Sequence, residues 1–240
     1  MAICGKLTNR VSLCIAAAVF AFVAAALAAC FPLFATDTAC RYAPMAEAFA
    51  EGNWSEAFHP RFGVGFPVIA GLIRFVTRCD GYSACAAAST LAWAFGAWPV
   101  YGIASRIWDR RVAWFAVILY VLCPQPLVWA LKGLREPFKM LGALMMTDSI
   151  FSARSQSWRA VAKAVVAFCL LFMFKCDAIA MGGILAFVFA LLDGFRWRTL
   201  VVVLSGALAL QPMCALVYSW TGYWLPAPHY VPLWQKAFGG

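Results

Sequence analysis

Four runs of this chain carry no charged side chain: Val11–Phe34, Gly81–Ser105, Val112–Leu131 and Thr199–Gln235. Each is as long as the stretch of about 20 apolar residues that a helix needs to cross a bilayer core of about 30 Å. A soluble domain must cover its surface with polar groups, and this chain has few to spend. Of its 240 residues 65% are hydrophobic and 12% charged, against about 25% charged in an ordinary soluble domain. The expected fold is all-α, a polytopic membrane protein. Because the apolar residues come in blocks and not in alternation, a transmembrane β-barrel is not expected.

The pattern predicts seven spans in one domain, residues 1–240. The first is Val11–Phe34, with Lys6 and Arg10 holding the N-terminus inside. Leu27-Ala28-Ala29-Cys30 has the small residues of a lipoprotein cleavage site, but the apolar stretch runs on to Phe34. That exceeds the ~7–15 residues of a signal core, so the segment is read as a retained helix. Residues 35–80 form a mixed outer loop. Within it Tyr42–Glu51 reads as a short helix stopped by Gly52-Asn53, and Phe66–Val76, too short to cross, as a helix along the interface.

Ser83–Ile107 is the second span, and Val112–Leu131 the third, ending in a kink at Pro124 and Pro126. Three shorter segments follow: Pro137–Ala153 with Lys139 and Asp148, Ala160–Phe174 with Lys163, and Ala178–Leu192. Snorkelling lysines can extend the first two. Leu200–Trp220 is the seventh span. The tail 221–240, with Trp224, Trp234 and three prolines, suits the membrane–water interface. On this topology ten of the 19 Lys and Arg lie inside, a narrow margin for the positive-inside rule. Seven of the ten acids lie outside, which points to chemistry on the outer face.

The net charge of +9 belongs to cations that flank apolar blocks. They serve as topology determinants and anionic-lipid contacts, and nucleic-acid binding is not expected. The ten cysteines show no CxxC and no grouping with His that zinc would need. Cys40 and Cys79 bracket the outer polar stretch and are the pair a disulfide can join. There is no G-x-x-x-x-G-K-[ST], G-x-S-x-G or H-E-x-x-H, so nucleotide hydrolysis, α/β-hydrolase and zinc-protease chemistry have no support.

Four places carry groups suited to chemistry, each with a plainer reading beside it. Asp37 follows the first span by three residues and can act as a general base held at the surface by a helix end, or be a solvated boundary residue. His59-Pro60-Arg61 through Pro67 is a stiff loop, either presenting His59 and Arg61 or simply turning the chain. Lys132-Gly133-Leu134-Arg135-Glu136-Pro137-Phe138-Lys139 is dense in cations, suited to a lipid phosphate or to anchoring at the interface. Lys175-Cys176-Asp177 joins two short spans as a site element or as a helix-capping turn.

Taken in order, Asp37, Arg41-Tyr42-Ala43-Pro44-Met45-Ala46, Glu51-Gly52-Asn53-Trp54, His59-Pro60-Arg61…Gly65-Phe66-Pro67, Arg135-Glu136-Pro137 and Lys175-Cys176-Asp177-Ala178 resemble the GT-C superfamily of membrane glycosyltransferases. That superfamily includes protein O-mannosyltransferases and the bacterial enzymes that transfer aminoarabinose or hexoses to lipid A and lipopolysaccharide core. The likeness runs from Val11 to Trp220 and is tightest in its first third. Thr38 stands where the family usually has a second acid, and one extra residue lies between Asp37 and Tyr42. Phe62-Gly63-Val64-Gly65 replaces the family's Pro-Pro-Gly, and Lys175 and Asp177 replace Arg and Glu. Family members commonly continue into an outer-face domain, so this chain is expected to be a minimal or an incomplete catalytic module.

The resemblance implies a sugar donor carried on a polyprenyl phosphate, membrane lipids around it, and a lipid, glycan or protein acceptor. It places the protein in a bacterial inner membrane with its active site on the outer face. Asp37 would take the acceptor proton, with Arg135, Lys139 and Lys175 on the donor phosphate and Tyr42, His59, Arg61, Glu136 and Asp177 in support. No cofactor is required; a divalent cation between Asp37 and Glu136 is conceivable but not demanded by one or two carboxylates. The alternatives are a non-catalytic or degenerate membrane scaffold, and a transporter or flippase of lipid-linked sugars, which should show inverted repeats or broken helices.

Overall fold

A computed structural model describes residues 34–58, 64–152, 157–174 and 201. Among these residues the fold is all-α, with no strand. A π-helical turn, Thr38–Tyr42, runs directly into α1, Ala43–Ala50. There follow α2 (Trp54–Ala57), α3 (Gly65–Thr77), α4 (Gly81–Ile107), α5 (Arg110–Leu122), α6 (Pro124–Leu131), α7 (Glu136–Ser152) and α8 (Ser157–Phe174). The first span as far as residue 33, and the segments expected at 178–192, 200–220 and 221–240, lie outside the described residues, Val201 excepted.

Local chemistry sets the helix ends. Asp80 caps α4 by accepting from the Ser83 amide at 3.0 Å and the Ser83 hydroxyl at 2.6 Å. Asp109 caps α5 by accepting from the Val112 amide at 2.9 Å. Such caps satisfy amides that a first helical turn leaves without partners. The kink expected at Pro124 is a break: Cys123 is extended at φ −65°, ψ 116°, and α5 and α6 meet at 51°. Steric conflict with the Pro124 ring drives the preceding residue out of the helical region.

Helix α4 is the centre of the fold and packs against α1, α3, α5, α6 and α7. Its buried positions are mostly small, among them Ala84, Ala88, Ala92 and Ala97, and small residues let helix backbones approach closely. Aromatic rings fill one end of the bundle. Phe138 stacks on Phe174 with centroids 4.1 Å apart, and Phe66 meets both edge-on.

Away from these rings, buried Asp148 on α7 pairs with both Arg106 of α4 and Lys163 of α8. Lys163 is therefore turned to a buried carboxylate, and Lys139 pairs with Glu136 at 3.0 Å. Gly102 makes room for the ion cluster, because a Cβ there would collide with an Asp148 oxygen. No single helix among the described residues is both long and apolar enough to cross a membrane, although α5 and α6 together qualify as a bent pair. Cys40 and Cys79 are free thiols, so the bridge that the sequence left open is not formed.

Candidate functional site

The wide turn before α1 has a cause in sequence. Pro44 offers no amide to the carbonyl four residues back, and its ring would press on that carbonyl in an α-helix. The turn opens instead, and the Ala43 amide bonds to the Thr38 carbonyl, five residues back. Asp37 is at the head of this turn and pairs with Arg41 at 3.0 Å, both side chains about half exposed. The Ala35 amide donates to the Tyr82 hydroxyl at 3.1 Å, which ties the start of the segment to α4.

The second half of the site begins where α6 stops. Gly133 takes φ +66°, the Gly133 amide donates to the Ala130 carbonyl at 3.0 Å, and the Leu134 amide reaches the Trp129 carbonyl at 3.1 Å. That is a Schellman end, in which a left-handed glycine closes the helix. The turn lies against α4: the Ser89 hydroxyl donates to the Leu134 carbonyl at 2.6 Å, and a Cβ on Gly133 would meet the Ala86 nitrogen at 2.9 Å. It also lies against the π-helical turn, since the buried Thr38 hydroxyl is 2.7 Å from the Lys132 carbonyl and 3.1 Å from that of Gly133. Asp37 and the 132–139 stretch are thus brought to one end of the bundle.

Tyr42 and Arg135 stand where the two halves meet. The Arg135 guanidinium is 5.8 Å from the centroid of the Tyr42 ring, and its Nη1 donates to the Phe174 carbonyl at 3.4 Å. Tyr42 packs edge-on against Phe66 at 5.1 Å. Burial pushes the Tyr42 phenol above its ordinary pKa; the Arg135 charge pulls it back, while Glu136 and Asp37 push it further up. Two carboxylates and two guanidiniums, those of Arg135 and Arg41, therefore act electrostatically on one phenol.

Of the residues named from sequence, Asp37, Tyr42, Arg135, Glu136 and Lys139 come together here. His59, Arg61, Lys175 and Asp177 lie outside the described residues. Arg135 is 9% exposed, so it works from within the protein and not as an open surface cation. Two residues that sequence reasoning left out belong to the site. Arg41 is the half-exposed cation paired with Asp37, and its spacing of four from Asp37 was the available signal. Thr38 is fully buried and joins the two halves; nothing local in sequence marks that long-range bond. Asp37 and Glu136 each pair with a cation of their own, and among the described residues no three His, Cys, Asp or Glu side chains converge as a metal site would. No protein-family model, curated protein or solved structure matches this chain.

Proposed function

We propose that this chain is an integral membrane glycosyltransferase that moves a sugar from a polyprenyl-phosphate donor to a lipid, glycan or protein acceptor at the outer face of a bacterial inner membrane. The observation that carries the reading is the meeting of the Asp37 segment with the Lys132–Lys139 stretch through Thr38. It joins a half-exposed carboxylate paired with Arg41 to the stretch that carries Arg135 and Lys139, groups of the kind an acceptor hydroxyl and a leaving phosphate require. The extra residue that the GT-C likeness leaves between Asp37 and Tyr42 falls in a π-helical turn, a form able to take up one residue.

The surface supports a bilayer setting. Leu91, Phe95 and Trp98 are exposed along one face of α4, and Phe115, Leu119 and Leu122 are exposed on α5. In water such apolar faces would drive association; against lipid they are ordinary. The donor tail would dissolve among the helices while its head lies at the interface. Asp37 would accept the acceptor proton as that oxygen attacks the anomeric carbon, inverting it in one displacement, and the cations would stabilise the phosphate as it leaves.

The test is direct. The full chain in nanodiscs is given radiolabelled polyprenyl-phosphate sugars and a lipid extract, and release of polyprenyl phosphate with labelling of an acceptor is followed. The proposal expects transfer that Asp37→Asn removes. Transfer unaffected by Asp37→Asn, or movement of intact donor across the bilayer without transfer, would overturn it.

A further inference from the structure

The geometry points to Thr38 as the positioning residue of this site: its hydroxyl fixes where Asp37 stands relative to the Lys132–Lys139 turn. The inference rests on the transferase reading for its catalytic part, and on the fold alone for its structural part.

Thr38 is fully buried, and its Oγ1 lies 2.7 Å from the Lys132 carbonyl and 3.1 Å from the Gly133 carbonyl. Those carbonyls follow the end of α6, where the last carbonyls of a helix lack intrahelical partners, so one hydroxyl proton serves both. The Thr38 methyl closes the contact from the other side, standing 3.0 Å from where a Gly133 Cβ would be. Thr38 is also the first residue of the π-helical turn, and its own carbonyl accepts the Ala43 amide that closes that turn. One residue therefore anchors the turn to itself and to the opposite half of the site. Asp37 is its immediate neighbour and has no hydrogen bond capping the turn it precedes. Its one ion pair among the described residues, with Arg41, is on the same segment and half exposed, and a surface pair of that kind holds little against solvent. The direction of the Asp37 carboxylate is accordingly set by the backbone, which the Ala35 amide holds to Tyr82 on one side and Thr38 holds to the Lys132–Gly133 turn on the other.

Three variants of the full chain in nanodiscs test this. Thr38→Val keeps the shape and removes the donor, Thr38→Ser keeps the donor, and Thr38→Cys, a far weaker donor of similar shape, serves if the valine variant does not fold. Hydrogen exchange at the Gly133 and Leu134 amides reads the turn. Transfer kinetics read Asp37. Thr38→Val is expected to speed exchange at those two amides at least tenfold and to lower kcat about tenfold with donor KM within twofold, and Thr38→Ser to restore both. Wild-type exchange and kcat in Thr38→Val, or failure of Thr38→Ser to restore them, would overturn the role. If wild-type protein transfers no sugar while the exchange pattern holds, the transferase reading falls and the structural role of Thr38 stands.

Discussion

The guanidinium of Arg135 lies 5.8 Å from the centre of the Tyr42 ring, across the junction between the π-helical turn and the start of α7. Through its Nη1 the same guanidinium reaches the carbonyl of Phe174, the last residue of α8. Three segments distant in sequence converge on one buried cation. A planar guanidinium suits this, because it presents a face to the ring and edges to acceptors at once.

Tyr42→Phe and Tyr42→Leu should therefore part company. Phenylalanine keeps a ring beneath Arg135 and an edge against Phe66, whereas leucine removes both. Thermal unfolding in detergent should show Tyr42→Leu losing about 0.5–2 kcal/mol from the cation–ring contact alone, and Tyr42→Phe losing little. Equal losses would shift the weight from the ring to the hydroxyl.

The cluster of Arg106, Asp148 and Lys163 ties α4, α7 and α8 together. Removing its one carboxylate leaves two mostly buried cations facing each other. Asp148→Asn should cost about 3–5 kcal/mol, as breaking a buried ion pair does. The triple change Arg106→Met, Asp148→Leu, Lys163→Met should cost far less, since it removes every charge together. Chemical denaturation of both proteins decides it; a mild Asp148→Asn beside a severe triple variant would contradict the account. Gly102→Ala should strain the same cluster but cost less than Asp148→Asn, because its methyl presses on the carboxylate without removing its charge.

Asp80 makes the start of α4 sensitive to acid. Partial burial pushes its carboxyl up, but the bonds from the Ser83 hydroxyl and amide outweigh this and hold the pKa below its ordinary value of 3.8. A folded-state pKa below the unfolded one means stability that is fully present above about pH 4 and lost as pH falls through the depressed value. Asp80→Ala should thus cost about 1 kcal/mol at neutral pH, and the gap from wild type should close as pH drops below 4. A gap that stays constant to pH 2.5 would show that the cap does not depend on the ionised carboxylate.

Sequence made the helices legible where pattern and punctuation agreed. Gly81–Ile107, Gly65–Thr77 and Ser157–Phe174 all lie within three residues of the segments read from apolar blocks. The stop at Gly52, at φ +81°, and the break before Pro124 followed from single residues whose backbone preferences are strong. What escaped is what depends on distant partners. Asp148 and Lys163 were visible as charges in apolar segments, yet only the crossing of α4, α7 and α8 adds Arg106 to them. Thr38 stood out merely as a substitute for an acid, because its bond to the Lys132 carbonyl is a tertiary fact. The same bonds bring the Asp37 segment against the Lys132–Gly133 turn, a meeting of residues some ninety-five positions apart that no local pattern announces.

The proposed transfer reaction would separate the roles of Asp37, Arg41 and Arg135 most sharply. If Asp37 is the base of that reaction, Asp37→Asn keeps shape and removes it, so donor should still bind while turnover falls roughly 10²–10⁴-fold. Arg41 is half exposed and its pair with Asp37 is worth at most about 1 kcal/mol, so Arg41→Ala should fold normally. If Arg41 meets the donor phosphate, its loss should weaken donor binding by about 1.5–3 kcal/mol, the value of a hydrogen bond to a charged group. Arg135→Ala is expected to do both kinds of damage, because that side chain also holds Tyr42 and the Phe174 carbonyl. A fluorescent polyprenyl-phosphate analogue gives donor affinity, turnover is followed in the same nanodisc sample, and thermal unfolding reports the fold. Loss of donor binding in Asp37→Asn with the fold intact would move Asp37 from base to binding group. Unchanged binding in both arginine variants would leave the phosphate to Lys139 and Lys175.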